Sequence, residues 1–340
     1  MKNKKRMRCI ISLVLLFSML MPFTAFAGTI NVEKDSKLTI LYQDNGKPLT
    51  GAGFDLYLVA YVDADGKRTP TAAFKDYKVN LKSTDQKVWK DLATTLEGLI
   101  ALDSAVKPLK SGKTDADGRL VFGKDEPLKP GLYLVTGQRH KQTGRIYTAQ
   151  PFMVQLPGLD ENGLWLYDIT AAAKHESRPD GGGGGGGGST DTSRKVLKVW
   201  NDEGNEKKRP QSITVHLLRD GELYDTVTLQ ASNHWRYEWP KLSNKYHWTV
   251  AEKDAGSYYT SVSLEGITYV VTNTYEEEFE EPPTPGSPPP DEEFTEPGVP
   301  LAEKLPQTGQ LWWPVLILIA SGMLLVIAGL VLRRGEHYEV

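Results

Sequence analysis

Residues 212–230 read SITVHLLRDGELYDTVTLQ, two runs of alternating apolar and polar residues on either side of Asp220-Gly221. An Asp-Gly pair accepts the positive φ that a two-residue hairpin turn demands, so the stretch predicts a β-hairpin. The pattern continues outward. KVLKVWND (195–202), YHWTVAEKD (246–254) and GITYVVTNTY (266–275) alternate in the same way, and no convincing helical period appears between 194 and 275. Short strands separated by turn signals predict an antiparallel β-sandwich of Ig-like type.

Three polar residues break the apolar face of these strands. Successive side chains of a strand point to opposite faces, so Lys198 shares a face with Val196 and Trp200, Glu252 with Trp248 and Val250, and Asn273 with Val271 and Tyr275. A buried Lys or Glu is costly unless it is paired or neutral. Each residue alone also reads as an edge lysine, an exposed glutamate or a turn asparagine. Together they point to chemistry.

A second all-β region lies upstream. KLTILYQDNGKPLTGAGFDLYLVA (37–60), TDADGRLVF (114–122), PGLYLVTGQ (130–138), GRIYTAQPFMVQ (144–155) and LWLYDITA (164–171) read as strands and turns. Between them, VWKDLATTLEGLIALDSAV (88–106) places Trp89, Leu92, Leu96 and Leu99 at helical spacing, a helix packed over a sandwich. The fold class expected is therefore all-β: two sandwiches, the first with an inserted helix.

The ends carry different signals. Lys2, Lys4, Lys5, Arg6 and Arg8 precede an apolar run from Ile10 to Met21, and Ala25 and Ala27 form an A-x-A cleavage site, so residues 1–27 read as a secretory signal peptide. The one cysteine, Cys9, falls inside it, which leaves the exported chain without a disulfide, a thiol nucleophile or a thiolate metal ligand. Stability outside the cell must then come from core size or from another covalent link. Gly181 to Gly188 is a glycine run that can bury nothing, and residues 276–304 are acidic and proline-rich, an extended stalk. Leu311 to Leu332 carries no charge and is long enough to span a hydrocarbon core of ~30 Å, with Arg333 and Arg334 behind it. By itself this is a single-pass anchor.

Enzyme signatures are missing from the pattern. The net charge of −3 gives no reason to expect nucleic-acid binding. No two histidines have metal-ligand spacing, there is no phosphate-binding or dinucleotide-binding glycine loop, and there is no G-x-S-x-G elbow. DADGK (63–67) and TDADG (114–118) lack the ligands of a full calcium loop and read as turns. No cofactor and no metal are expected.

Two resemblances sharpen this reading. KVWND, Arg209-Pro210, VHLLRDG, Trp235, YHWTVAE and VTNTY, across residues 194–275, resemble the CnaB domain of Gram-positive adhesins and pilins. The resemblance implies an internal isopeptide bond with Lys198 as nucleophile, Asn273 as acceptor and Glu252 as catalytic acid. Burial disfavours charge on both ionisable groups, favouring the neutral amine and the neutral acid that such a reaction needs. Leu305, Pro306, Gln307, Thr308 and Gly309, followed by the apolar run and the basic tail, match the LPxTG sorting signal of Gram-positive surface proteins. That resemblance implies a sortase as partner, cleavage after Thr308, and transfer to peptidoglycan or a pilin subunit, with the membrane held only before sorting. The upstream region is similar to the N-terminal domain of Gram-positive pilins and of basal or ancillary pilin subunits. Its counterparts of Lys198, Glu252 and Asn273, by alignment within the chain, are Ile40, Gly137 and Ala171, so it is expected to lack that bond; Asp55 leaves another arrangement open. Lys174 lies where shaft pilins of this kind carry a polymerising lysine, but Ala172-Ala173 replace the expected Tyr-Pro.

The expected organisation is a signal peptide (1–27), a pilin-like sandwich (28–174), a glycine-rich linker (175–193), a CnaB-type sandwich (194–275), a stalk (276–304), a sorting motif (305–309), a transmembrane helix (311–332) and a cytoplasmic tail (333–340). The expected role is structural or adhesive: an accessory or basal pilin or adhesin, covalently attached to the cell wall, with a host or matrix ligand that the sequence does not name. The alternative is a shaft pilin polymerised through Lys174.

Overall fold

The computed structural model describes residues 28–180 and 191–276. The signal peptide, the glycine run, most of the stalk, the sorting motif and the apolar C-terminal span lie outside the described residues. Among those described, no helix is long and apolar enough to cross a membrane.

The first domain is built from β1 (Lys37–Leu41), β2 (Gly53–Val62), β3 (Arg68–Pro70), helix α1 (Gln86–Leu102), β4 (Lys110–Lys113), β5 (Arg119–Phe122), β6 (Gly131–Gly137), β7 (His140–Gln142), β8 (Arg145–Ala149), β9 (Phe152–Leu156), β10 (Asp168–Ala172) and β11 (His175–Pro179). One sheet runs β9-β6-β2-β3 with β4 also paired to β2; the others run β10-β1-β5 and β11-β8-β7. The even residues Phe54 and Leu56 of β2, with Tyr133 and Val135 of β6, face Leu38, Ile40 and Tyr42 in the sandwich core. The opposite face, Val59, Leu132, Leu134 and Met153, is covered by Leu92, Ala93, Leu96 and Leu99 of α1. Burial on both faces explains why GLYLV in β6 shows no alternation.

The second domain contains β12 (Asp191–Asn201), β13 (Ser212–Arg219), β14 (Glu222–Gln230), β15 (Arg236–Ser243), β16 (Trp248–Ala251), β17 (Tyr259–Glu265) and β18 (Thr268–Thr274). Its sheets are β15-β12-β18-β17 and β14-β13-β16, enclosing Val196, Val215, Leu217, Trp239, Val250, Val262 and Val271. The predicted hairpin is β13–β14, with Asp220 and Gly221 both at positive φ.

The sandwiches depart from the expected arrangement in two ways. They are not wholly antiparallel: the first and last core strands of each domain run side by side in parallel, β1 with β10 and β12 with β18. Nor is 175–193 all linker. His175–Pro179 pairs with β8, and Asp191 already pairs with Ser243. The polar sequence HESRP hides a strand because it serves a sheet edge and need not alternate. The two faint calcium loops are turns, in which Asp63 and Asp115 each accept two backbone N–H groups of their own loop.

Helix α1 also touches the second domain. Asp85 caps it by accepting from the Lys87 and Val88 amides. Its small residues meet β16 and β17. A Cβ on Gly98 would fall 2.5 Å from the Val250 carbonyl oxygen, and the Val262 amide donates to Thr95 Oγ1 at 2.7 Å. Two ionic contacts flank this seam, Arg139 Nη1 to Asp220 Oδ2 at 2.8 Å and His247 Nε2 to Glu97 Oε2 at 3.3 Å.

The His247 contact makes the seam sensitive to pH. Burial disfavours the imidazolium, but Glu97, with Glu176 and Asp220 behind it, outweighs burial and raises the His247 pKa above the ordinary histidine value. A raised folded-state pKa contributes stability that is complete below the unfolded pKa and is lost as pH climbs through the folded one. Protection of the Val262 amide, measured against its intrinsic base-catalysed exchange, is therefore expected to fall from mildly acidic to alkaline buffer, and a His247→Gln chain to show a flatter profile. An unchanged profile in that variant refutes the assignment.

Candidate functional site

Strand β12 directs Val196, Lys198 and Trp200 inward, and β18 directs Val271 and Asn273 inward. The parallel register sets Lys198 opposite Val271 and Trp200 opposite Asn273. Glu252 follows the last residue of β16, in the facing sheet. The three polar residues converge. Lys198 Nζ donates to Glu252 Oε2 at 2.8 Å, and Asn273 Nδ2 donates to Oε1 of the same carboxyl at 3.0 Å. The Lys198 and Glu252 side chains have 0% exposure, and Asn273 as a residue has 1%.

Burial pushes the Lys198 ammonium down to about 8, against the opposing attraction of Glu252. The amine also lies 4.7 Å from the Trp200 ring centroid. Asn273 Oδ1 is buried without a hydrogen-bond partner. The two ends of a side-chain amide are interchangeable by a half-turn, and that turn would bring the carbonyl oxygen to Oε1. One carboxyl thus bridges a dehydrated amine and a dehydrated amide, the elements of an intramolecular amide exchange.

A second layer holds these groups. Arg209 grips Asp202 through two bonds, Nε to Oδ2 at 2.8 Å and Nη2 to Oδ1 at 2.6 Å, and Tyr258 Oη donates to Oδ2 at 2.9 Å. The Arg209 hydrogen bond holds the Asp202 carboxyl below the usual carboxylate range. Trp200 stands edge-on to Trp235 at 5.3 Å and to Tyr258 at 5.1 Å, which fixes the ring over Lys198. Thr260, opposite Asn273 in the β17–β18 pairing, approaches Glu252 Oε2 with its hydroxyl at 3.4 Å. Sequence reasoning singled out Arg209 and Trp235 as parts of a pattern but missed Asp202 and Thr260 as participants.

The first domain holds no such trio at the matching place. Ile40 is in the core, and a Cβ on Gly137 would lie 2.5 Å from that of Ala149, so the position excludes any side chain. Ile40 pairs directly with Ala171, whereas Asn273 lies two residues beyond the partner of Lys198. The counterpart of Asn273 is therefore the buried Ala173 rather than Ala171, and it too lacks an amide. Asp55 is hydrogen-bonded to Ser111 and Gln138. Lys174 is exposed between β10 and β11. Leu305 to Gly309 lie outside the described residues. No group of three or more His, Cys, Asp or Glu among the described residues could hold a metal ion.

Two regions of the chain match known families. Residues 27–170 match the Gram-positive pilin subunit D1, N-terminal domain, and residues 194–274 match the Cna protein B-type domain. The two matched regions fall on the two sandwiches of the fold. A collagen adhesin of Staphylococcus aureus is 25% identical over 231 residues, covering 59% of this chain and 18% of the adhesin; this chain therefore spans under a fifth of that relative's length. Among solved structures, the full-length major pilin SpaD of Corynebacterium diphtheriae is similar at 14% identity, over 72% of this chain and 65% of the pilin, with a TM-score of 0.27. A single B repeat unit of the collagen-binding surface protein of Staphylococcus aureus is similar at 19% identity, over 71% of this chain and 98% of the repeat, with a TM-score of 0.24.

Proposed function

We propose that the chain is a sortase-attached wall protein of structural or adhesive role, an accessory or basal pilin or adhesin, locked by an autocatalytic bond between Lys198 and Asn273. The observation that carries the covalent part is the single carboxyl of Glu252 between a sealed amine and a sealed amide. Wall attachment rests on the Leu305–Gly309 motif and its flanking segments.

Moving one proton along the 2.8 Å contact converts ammonium and carboxylate into neutral amine and neutral acid. The Lys198 nitrogen then attacks the Asn273 side-chain carbon while Glu252 protonates the developing oxyanion. Glu252 next carries the proton lost by the attacking nitrogen to the departing amide nitrogen. A carbon–nitrogen bond forms and another breaks; as the carbonyl re-forms, its oxygen returns the proton to Glu252, and ammonia leaves. The fold supplies the effective concentration by holding both reactants in place. Turnover is single, so the residues act in maturation rather than on an external substrate.

The expected result is an intact mass about 17 Da below the residue sum, the loss of one ammonia, with the deficit absent in Glu252→Ala. A full residue-sum mass in the wild-type chain disproves the bond. The alternative, a shaft pilin, draws on the exposure of Lys174. It requires a high-mass ladder in wall extracts that disappears in Lys174→Ala.

A further inference from the structure

The second domain does not seal its own reaction site. Glu252 lies beyond the end of β16 and lines a cavity of about 170 Å³ whose opposite wall includes Tyr77, Lys78 and Leu99 of the first domain. β16 and β17 are edge strands of the two sheets, and both edges open toward the first domain. Ala251, next to Glu252, is buried in one apolar cluster with Leu92, Leu96 and Leu99 of α1.

Thr260 links the two sides directly. Its backbone amide donates to the Lys78 carbonyl oxygen at 2.8 Å, and its hydroxyl lies 3.4 Å from Glu252 Oε2. Two residues on, the Val262 amide is held by Thr95 of α1. The strand that steadies the carboxyl is thus itself held by the first domain.

We infer that docking of the first domain completes the isopeptide site, with Thr260 as a positioning residue that orients Glu252 only when β17 is held by Lys78 and Thr95. Undocking would leave the β17 edge and the outer face of β16 to water. Hydration would favour the ionic forms of Lys198 and Glu252, the unreactive ones. The crosslink would therefore set only in chains whose two domains have already assembled, so that each covalently locked subunit is also a correctly docked one. This rests on the isopeptide reading above.

The test follows the mass deficit with time after cell-free synthesis of the full chain. Gly98→Leu places a side chain against the Val250 carbonyl oxygen and opens the seam, with faster Val262 amide exchange reporting the opening. Thr260→Val keeps the backbone contact and removes the hydroxyl; Thr260→Ser restores a hydroxyl. The expected result is a tenfold or greater slowing in Gly98→Leu, about tenfold in Thr260→Val, and near wild-type speed in Thr260→Ser. Rescue by serine separates positioning from packing. A Gly98→Leu chain with an exchanging Val262 amide and a wild-type rate overturns the inference while leaving the bond intact. Should Gly98→Leu not fold, the Thr260 pair decides, and a wild-type rate in Thr260→Val overturns it. A wild-type chain with no deficit removes the isopeptide reading, and this inference with it.

Discussion

Pulled from residues 28 and 276, the wild-type chain is expected to release one long step of extension, and the Glu252→Ala chain two. In the second domain, force entering along β12 reaches Lys198 seven residues after Asp191, and force leaving along β18 departs one residue after Asn273. An amide bond between those side chains would carry the load across the domain. The intervening stretch, roughly 75 residues, would then stay folded, because a covalent bond cannot be drawn apart at forces that strip hydrogen bonds. Without the bond, that stretch lengthens at ~3.3–3.6 Å per residue, giving an additional step of roughly 25 nm. The first domain has Ile40 and Ala173 at the matching positions and must extend in both chains, on the order of 50 nm for residues 37 to 179. The parallel neighbours β12 and β18 make the device work, since the first and last strands of the domain lie side by side. A second step of roughly 25 nm in the wild-type chain, matching that of Glu252→Ala, would show that no covalent bridge exists.

How much of this was legible in the sequence depends on what each residue faces. Lys198, Glu252 and Asn273 stood out because each interrupts an alternating strand at a position where the pleat points inward. A polar residue on an apolar face leaves a visible mark. Thr260 left none: threonine is ordinary in a strand, and its role comes from a partner on another domain. Asp202 was only the last residue of KVWND, and only the fold brings Arg209 and Tyr258 to it. In α1 the leucines gave the helical period, but the second contact face is made by Thr95 and Gly98, small residues that carry no hydrophobic signal and matter because another backbone comes close. The interdomain seam was invisible for that reason. The register offset that makes Ala173, not Ala171, the counterpart of Asn273 is likewise a property of strand pairing, which a linear alignment through YDITA and YVVTN does not contain.

A chain carrying both Lys198→Met and Glu252→Gln is expected to lose the larger part of the second domain's thermal stability. A crosslink stabilises chiefly by restricting the unfolded chain, and closing a loop of roughly 75 residues is worth about 4–5 kcal/mol on the chain-entropy model. For a domain of under 100 residues each kcal/mol moves the midpoint by about 4–8 °C, so the transition should fall by about 20 °C or more. The double variant is the informative one. Lys198→Met alone leaves the Glu252 carboxyl sealed with only Thr260 and Asn273 as partners, and removing one member of a buried ion pair costs about 3–5 kcal/mol by itself. That penalty would imitate the loss of a bond. Replacing both members removes the buried charges together, a change that is often close to neutral for a pair held only by electrostatics. If the site were an ordinary buried ion pair, the double variant would melt within a few degrees of the wild-type chain. A fall of about 20 °C in the β12–β18 domain, with the first domain's transition moving far less, is the thermal signature of a covalent tie between Lys198 and Asn273.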